Sequence, residues 1–234
     1  LNALSYLGLA AGLLVIRMAP TPRAAGSTGD VFREGLTYVA AQPPIRQMML
    51  SVLVVNLTAS SYAVLLPVFA KDIFAGDART LGWLWGAAGL GSLVGTLLLA
   101  NRHALTSLVG TILACALAGG AGLLAFAASQ HLALSLLAMA VIGFSITNCN
   151  VGTNILLQSL APERLRGRVV SLYTSTRFGF DAIGGLLVGI LAEQVGAPWA
   201  MASAGFLLLG YCAWLLPRQR RLARQVADAP REDG

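Results

Sequence analysis

The 234-residue chain is 56% hydrophobic and only 11% charged, with a formal net charge of +6. Soluble domains carry about 25% charged residues, so a water-soluble fold with this composition would leave too much apolar surface in contact with water. The positive charges lie in short clusters between apolar runs and lack an aromatic-rich basic face, which argues against a nucleic-acid-binding protein. We therefore expect an all-α integral membrane protein whose partner is the lipid bilayer.

The first 45 residues precede the first complete span. Residues 1–17 are apolar but too short for a full crossing, so we expect them to be the end of a transmembrane helix that begins upstream. Residues 18–45 form a cytoplasmic linker whose Pro- and Gly-rich start leads into a short amphipathic helix, with Asp30 as its N-cap. The apolar face of this helix consists of Phe32, Leu36 and Val39.

Residues 46–217 contain six apolar runs, each long enough for the roughly 20 residues that a bilayer crossing requires. Charged residues separate most of the runs, a short polar break divides the third from the fourth, and prolines bound the sixth. The predicted helices cover about residues 47–69, 80–100, 105–127, 132–158, 169–192 and 198–216. Residues 218–234 form a basic cytoplasmic tail.

The positions of lysine and arginine predict the orientation of these spans. Thirteen of the sixteen basic residues fall in alternate connecting segments, two fall in the other segments, and Arg177 lies inside the fifth span. Because basic residues accumulate in loops on the cytoplasmic side of a membrane, we predict six crossings with both ends in the cytoplasm.

Small residues recur along the second and fifth predicted spans. Helices in lipid gain no hydrophobic drive from associating, so close packing depends on such residues. The pattern favours a tight helix bundle, whether static or moving. The glycines expected at helix–helix contacts are Gly82, Gly86, Gly91, Gly95, Gly185 and Gly189.

Two charged residues, Arg177 and Asp181, lie four positions apart and therefore on one face of the fifth predicted span. With a rise of about 1.5 Å per residue, Asp181 would lie roughly 18 Å deep, near the middle of the membrane. A charge at that depth costs about 2.5–3.5 kcal/mol or more. We interpret the two residues as candidates for proton coupling. The alternative is a mutually neutralised pair that only fixes the rotation of the helix.

Uncharged polar residues mark the first and fourth predicted spans. Two lie four positions apart on the first span, and a stripe at spacings of three and four runs along the fourth. Hydrogen bonding between helices, worth about 0.6 kcal/mol on average, and the lining of a polar cavity both account for such residues. The substrate-cavity candidates are Asn56, Ser60, Asn150 and Asn154.

No pattern typical of a soluble enzyme occurs in the sequence. There is no GxSxG, HExxH or nucleotide-binding glycine loop. The three cysteines, Cys115, Cys149 and Cys212, lie in apolar runs without a CxxC pair. We therefore predict no catalytic residues, no metal site and no cofactor, and energy for any transport would come from a gradient or from another chain.

The segment after the fourth predicted span carries a further pattern, followed by a span that contains several glycines. Its residues are Gln158, Pro162, Glu163, Arg166, Gly167 and Arg168. This segment resembles the cytoplasmic loop between helices ten and eleven in bacterial exporters of the major facilitator superfamily, in the branch of the enterobactin exporter and the transmembrane secretion effectors. The stretch from Phe32 to Gly35 resembles the central loop of that branch.

The resemblance implies the C-terminal half of a twelve-helix fold, with residues 1–17 ending helix six and helices seven to twelve forming an inverted 3+3 repeat. The superfamily's Asp-Arg-x-Gly-Arg signature is reduced here to Asn101-Arg102.

The same resemblance implies proton-coupled efflux of small amphipathic molecules by alternating access across the bacterial inner membrane. Asp181 would carry the proton and Arg177 would tune it. The expected partners are a small-molecule substrate and the missing N-terminal half, on the same or a separate chain. The alternative is a non-transporting six-helix scaffold or assembly subunit.

Overall fold

The structure is a computed structural model that describes residues 28–100 and 105–227, apart from the side chains of residues 28–32, 60, 105, 106 and 227. All regular elements in these ranges are helical, which confirms the predicted all-α class. The predicted helix end at residues 1–17, the first part of the linker and the last seven residues lie outside the described ranges.

Eight α-helices follow one another along the described chain. They are α1 Thr28–Ala41, α2 Pro43–Val68, α3 Ala78–Ala100, α4 Leu105–Ala128, α5 Leu132–Leu160, α6 Glu163–Val195, α7 Ala197–Leu215 and α8 Gln219–Ala227. A π-helical turn, Phe69–Ile73, extends α2, and a 3₁₀ turn, Leu216–Arg218, joins α7 to α8. The six helices α2 to α7 are long and apolar enough to cross a bilayer, and they follow the order of the six predicted spans.

Local signals explain several of the helix ends. Prolines occupy the first turn of α2, where their missing N–H groups are not needed, and the helix therefore begins at Pro43, before the predicted start. The Asp77 carboxylate caps α3 by accepting hydrogen bonds from the backbone N–H groups of Arg79 and Thr80, at 2.9 and 3.1 Å. Gly196 has a φ of 87° between α6 and α7, a conformation that favours glycine.

Two further predicted helix starts differ from the structure. The helix α1 begins at Thr28, so Asp30 lies inside its first turns and is not the N-cap. The helix α6 begins at Glu163, six residues before the predicted start, because Pro162 precedes it in an extended conformation and Glu163 places a negative charge at the positive end of the helix dipole. The arginines of the predicted loop motif therefore project from a helix.

The six spans pack in a pattern that repeats between the first three and the last three. The helix α3 packs mainly on α5, and α2 packs mainly on α6. In an inverted 3+3 repeat, α2 corresponds to α5, α3 to α6 and α4 to α7. The contact of α3 with α5 therefore corresponds to the contact of α6 with α2, and both are present. The remaining large contacts join α4 to α5 and α4 to α7, so α4 lies on the covered side of the bundle.

The closest helix contact joins α3 to α5. A Cβ added at Gly91 would lie 1.9 Å from the Ala140 carbonyl oxygen, and one added at Gly143 would lie 2.0 Å from the Ala88 carbonyl oxygen. Both distances are far below van der Waals contact, so the two backbones approach as only glycine permits.

The other predicted packing glycines divide into two groups. A Cβ at Gly95 would lie 2.3 Å from the side-chain nitrogen of Asn148, so Gly95 also packs closely. Gly185 is partly buried. At Gly82, Gly86 and Gly189 an added Cβ meets no atom within 4 Å among the described residues, so their role in helix packing stays a prediction. The GxxxG spacing indicates a smooth helix face but does not tell which face is covered.

Candidate functional site

A polar cavity of about 340 Å³ lies between α5 and α6, inside the membrane-spanning part of the bundle. Its lining includes isoleucine and valine side chains of α5 together with polar residues of both helices. The polar lining residues are Thr147, Asn150, Asn154, Gln158, Tyr173 and Arg177. The spacings of three and four along α5 place its four members of this set on one face, as the sequence predicted.

The two polar lining residues nearest the end of α5, Asn154 and Gln158, are hydrogen-bonded to each other. The Gln158 side-chain amide donates a hydrogen bond to the Asn154 side-chain oxygen one turn earlier. The backbone carbonyl of Gln158 in turn accepts a hydrogen bond from the Arg166 guanidinium at 3.2 Å, across the turn between α5 and α6. The cavity is therefore joined to the start of α6 through Gln158.

The asparagines Asn56 and Asn150 join α2 to α5 through their side chains. The Asn56 amide donates to the Asn150 oxygen at 3.0 Å, and the Asn150 amide donates to the Asn56 oxygen at 3.3 Å. Both residues are buried, at 4% and 3% exposure. Asn56 does not line the cavity between α5 and α6, so its role at a substrate cavity stays a prediction, whereas Asn150 belongs to both the pair and the cavity wall. The side chain of Ser60 lies outside the described residues.

A tyrosine that the sequence analysis did not single out completes the cavity wall. The Tyr173 hydroxyl donates a hydrogen bond to the Asn150 backbone carbonyl at 2.9 Å. Its side chain also lies within interaction range of Asn154 and Arg177. Tyr173 precedes Arg177 by four residues, so the helical spacing alone would have placed it on the same face.

The two charges in the middle of α6 have different surroundings. Arg177 is partly buried and lines the cavity, with its guanidinium 5.1 Å from the centre of the Phe178 ring. Asp181 is exposed and lies outside the cavity lining. The two side chains do not form an ion pair, because the ion pairs of the described residues all involve Glu34. The alternative of a mutually neutralised pair that fixes the rotation of the helix stays a prediction.

Two arginines at the start of α6 connect it to α1, and only one of them, Arg168, belongs to the predicted loop motif. The Glu34 carboxylate pairs with Arg164 at 2.9 Å and with Arg168 through its second oxygen. The hydrogen bond from Arg168 is the largest influence that keeps the pKa of Glu34 below its ordinary value. The Tyr38 hydroxyl donates to the Leu160 carbonyl at 3.5 Å. We call Glu34, Arg164 and Arg168 the α1 clamp.

The contact between α1 and α6 is also steric. A Cβ at Gly35 would lie 3.2 Å from the Leu172 side chain, and Val39 is 8% exposed. Leu36, which was predicted on the same apolar face, is 52% exposed. Of the predicted motif residues, Gly167 meets no atom within 4 Å of an added Cβ, so its role is not packing within the described residues.

The described residues contain no group of three or more His, Cys, Asp or Glu side chains placed to hold a metal ion. The three cysteines are buried, and none of them forms a disulfide. The chemistry available at the cavity is therefore that of amides, hydroxyls and one guanidinium, with a carboxylate one helical turn beyond it.

Comparison with known proteins gives a consistent family. A family model described as transmembrane secretion effector matches residues 1–230. The multidrug efflux pump Tap of Mycolicibacterium fortuitum is 32% identical over 192 residues, which cover 81% of this chain and 46% of Tap. The enterobactin exporter EntS of Escherichia coli is 31% identical over 176 residues, which cover 72% of this chain and 41% of EntS. The chain thus spans about half the length of the curated relatives it matches.

A solved structure shows the same fold. The proton:xylose symporter XylE of the major facilitator superfamily, bound to 6-bromo-6-deoxy-D-glucose, matches with a TM-score of 0.59 over 86% of this chain and 50% of its own, at 13% identity. The relatives are transporters and not enzymes. With nearly all of its residues covered by the family model, this multi-pass membrane protein belongs to the transmembrane secretion effector family of the major facilitator superfamily.

Proposed function

We propose that this chain is the C-terminal half of a proton-coupled secondary transporter, which exports small amphipathic molecules across the bacterial inner membrane by alternating access. The observation that carries the proposal is the cavity between α5 and α6, which combines amide, hydroxyl and guanidinium groups with apolar walls. Such a mixture suits ligands with both polar and apolar parts. The descriptions of Tap as a multidrug efflux pump and of EntS as an exporter support the direction of transport.

The missing N-terminal half would cover the open faces of α3 and α6. Only 28% and 11% of the residues in the most apolar stretches of these two helices are buried by the chain itself. The two helices are equivalent under the exchange of the repeats, so a partner related to this half by pseudo-symmetry would meet both. Gly82, Gly86 and Gly89 leave a smooth strip on α3 with no contact inside the described chain, and small residues of this kind allow close helix approach.

The proposed orientation places both ends of the six-span unit in the cytoplasm. In this orientation the α1 clamp and the arginines of α8 lie on the cytoplasmic side, in agreement with the distribution of basic residues. Asp77 and the start of α7 at Ala197 then lie on the opposite side.

In the proposed mechanism Asp181 exchanges the proton and Arg177 senses its charge. The ionised carboxylate and the guanidinium lie one helical turn apart and attract each other at a distance, most strongly where water is excluded. Protonation of Asp181 removes this attraction and leaves Arg177 to interact with a polar group of the substrate in the cavity. Substrate occupancy and the proton are thereby coupled through one side chain.

The test is the Asp181→Asn variant of the complete transporter in inverted membrane vesicles, with a panel of amphipathic dyes as substrates. We expect proton-driven transport at background level and no remaining dependence on external pH, since an amide does not exchange the proton. Glu193→Gln is the matched control, because Glu193 is an exposed carboxylate near the end of the same helix. Unchanged efflux with unchanged pH dependence in Asp181→Asn would rule out the proton role.

A further inference from the structure

The short helix α8 directly follows the last apolar helix of the bundle. The preceding span α7 has 19 residues, which at about 1.5 Å per residue corresponds to the thickness of a hydrocarbon core of about 30 Å. The 3₁₀ turn Leu216–Arg218 therefore reaches the lipid headgroups, and α8 begins at that depth. The Gln219 side chain lies beside Gly110 in the first turns of α4, which fixes the start of α8 to the bundle.

The orientation of α8 is set by its apolar side. Leu222 and Val226 lie four positions apart and are 4% and 3% exposed, in a helix that packs on α4 and α2. Because successive residues turn by about 100°, the opposite face carries Arg220, Arg221 and Arg224. All three are exposed. The apolar face is thus used by the protein, and the basic face is the one left outside.

A fourth arginine, Arg218, lies in the 3₁₀ turn just before α8 and contacts Trp214. The Arg218 guanidinium lies 4.1 Å from the centre of the Trp214 ring and donates a hydrogen bond to the Trp214 carbonyl at 2.5 Å. Tryptophan side chains favour the membrane interface. None of the four arginines pairs with a carboxylate in the part of the chain that the structure describes.

We propose that α8 is a lipid-anchoring helix whose basic face, Arg218, Arg220, Arg221 and Arg224, binds anionic phospholipid headgroups. A guanidinium matches a phosphate by donating two parallel hydrogen bonds, and clustered basic residues at an anionic surface reinforce one another. Headgroups bound there would hold the end of α7 and the start of α4 at a fixed depth. The assignment to the cytoplasmic leaflet depends on the proposed orientation, but it does not depend on proton coupling.

The experiment measures lipid binding to the detergent-purified complete transporter by native mass spectrometry, with phosphatidylglycerol and phosphatidylcholine as probes. In the variant R220Q/R221Q/R224Q we expect the affinity for phosphatidylglycerol to fall at least about tenfold, with little change for phosphatidylcholine. The matched control is R33Q/R46Q/R166Q, which removes the same charge from three exposed arginines on the same predicted side. The control should keep its phosphatidylglycerol affinity within about twofold.

Two outcomes would overturn the proposal. Equal losses in both triple variants would show that binding follows net charge and not α8, and an unchanged affinity in the α8 variant would show that α8 does not bind headgroups. The variant R220K/R221K/R224K keeps the charge but loses the paired hydrogen bonds of the guanidinium, so its phosphatidylglycerol affinity should lie between those of the unmodified chain and the glutamine variant. A loss as large as that of the glutamine variant would also contradict the proposal. Since no transport is measured, a failed Asp181 test leaves this result intact.

Discussion

The helices α4 and α6 belong to one bundle but differ in how far the chain covers them. In the most apolar stretch of α4, 56% of the residues are buried, whereas the corresponding share in α6 is 11%. The helix α6 also carries Arg177 and Asp181 in its middle, where a charge facing lipid costs about 2.5–3.5 kcal/mol or more. This contrast indicates that the α4 side holds the bundle together, while the chain itself leaves most of the α6 side uncovered.

The largest expected difference is in access to water. In a cysteine-free background, Gly179→Cys lies on the exposed face of α6, and Ala116→Cys lies near the middle of α4 at 5% exposure. A charged, membrane-impermeant thiol reagent needs a hydrated thiolate to react. We expect it to label position 179 at least about tenfold faster than position 116. Similar rates at the two positions would remove the distinction between the two helices.

The next largest effect concerns packing within the covered part. Gly91→Ala forces a methyl group to within 1.9 Å of the Ala140 carbonyl oxygen, so α3 and α5 must separate. Overpacking of this kind costs about 1–3 kcal/mol, which unfolding in mixed detergent micelles would measure. The control is Gly89→Ala, two residues away, where an added Cβ meets nothing within 4 Å. Equal destabilisation by both changes would show that the α3–α5 contact is looser than described.

These residues show which features the sequence could predict. Six spans follow from run length and charge spacing, because a bilayer imposes both on a helix. The start of α6 was misplaced because its first turns carry arginines, and a hydropathy pattern begins only where the charges end. The glycine spacing identified Gly91 but also Gly86, since the covered side of a helix depends on its neighbours and not on its own sequence.

The candidate site was predictable only in part for the same reason. Helical spacing placed Asn150, Asn154 and Gln158 on one face of α5, because this is a property of one helix. The reciprocal bond between Asn56 and Asn150 joins residues 94 positions apart, and no local pattern encodes it. Glu34 lay inside the stretch that resembled the central loop of the exporters, but its pairing with the α6 arginines required the folded arrangement.

A smaller effect is expected at the α1 clamp. Because the pKa of Glu34 is lowered in the folded state, the clamp is fully present above the ordinary value of 4.5 and is lost as the pH falls through the lowered pKa. The protection factors of the α1 amides, that is, their exchange rates corrected for the intrinsic pH dependence of exchange, should therefore be high at neutral pH and fall as the pH drops through the lowered pKa of Glu34. In Glu34→Gln, the protection factors should be low throughout this pH range. Glu163→Gln, which changes an exposed carboxylate in the first turn of α6, should behave like the unmodified chain.

The smallest effect on stability is expected at the hydrogen-bonded pair of Asn56 in α2 and Asn150 in α5. A double-mutant cycle of Asn56→Ala and Asn150→Ala should give a coupling energy of about 0.6 kcal/mol, the average for hydrogen bonds between membrane helices. The control cycle pairs Asn56 with Asn148, whose amide donates within its own helix to the Phe144 carbonyl, and its coupling should be near zero. Equal coupling in both cycles would show that the energy comes from general repacking. A coupling confined to Asn150 would mean that one residue both closes the α2–α5 contact and forms the cavity wall, so that changes in the cavity are transmitted to the covered side of the bundle.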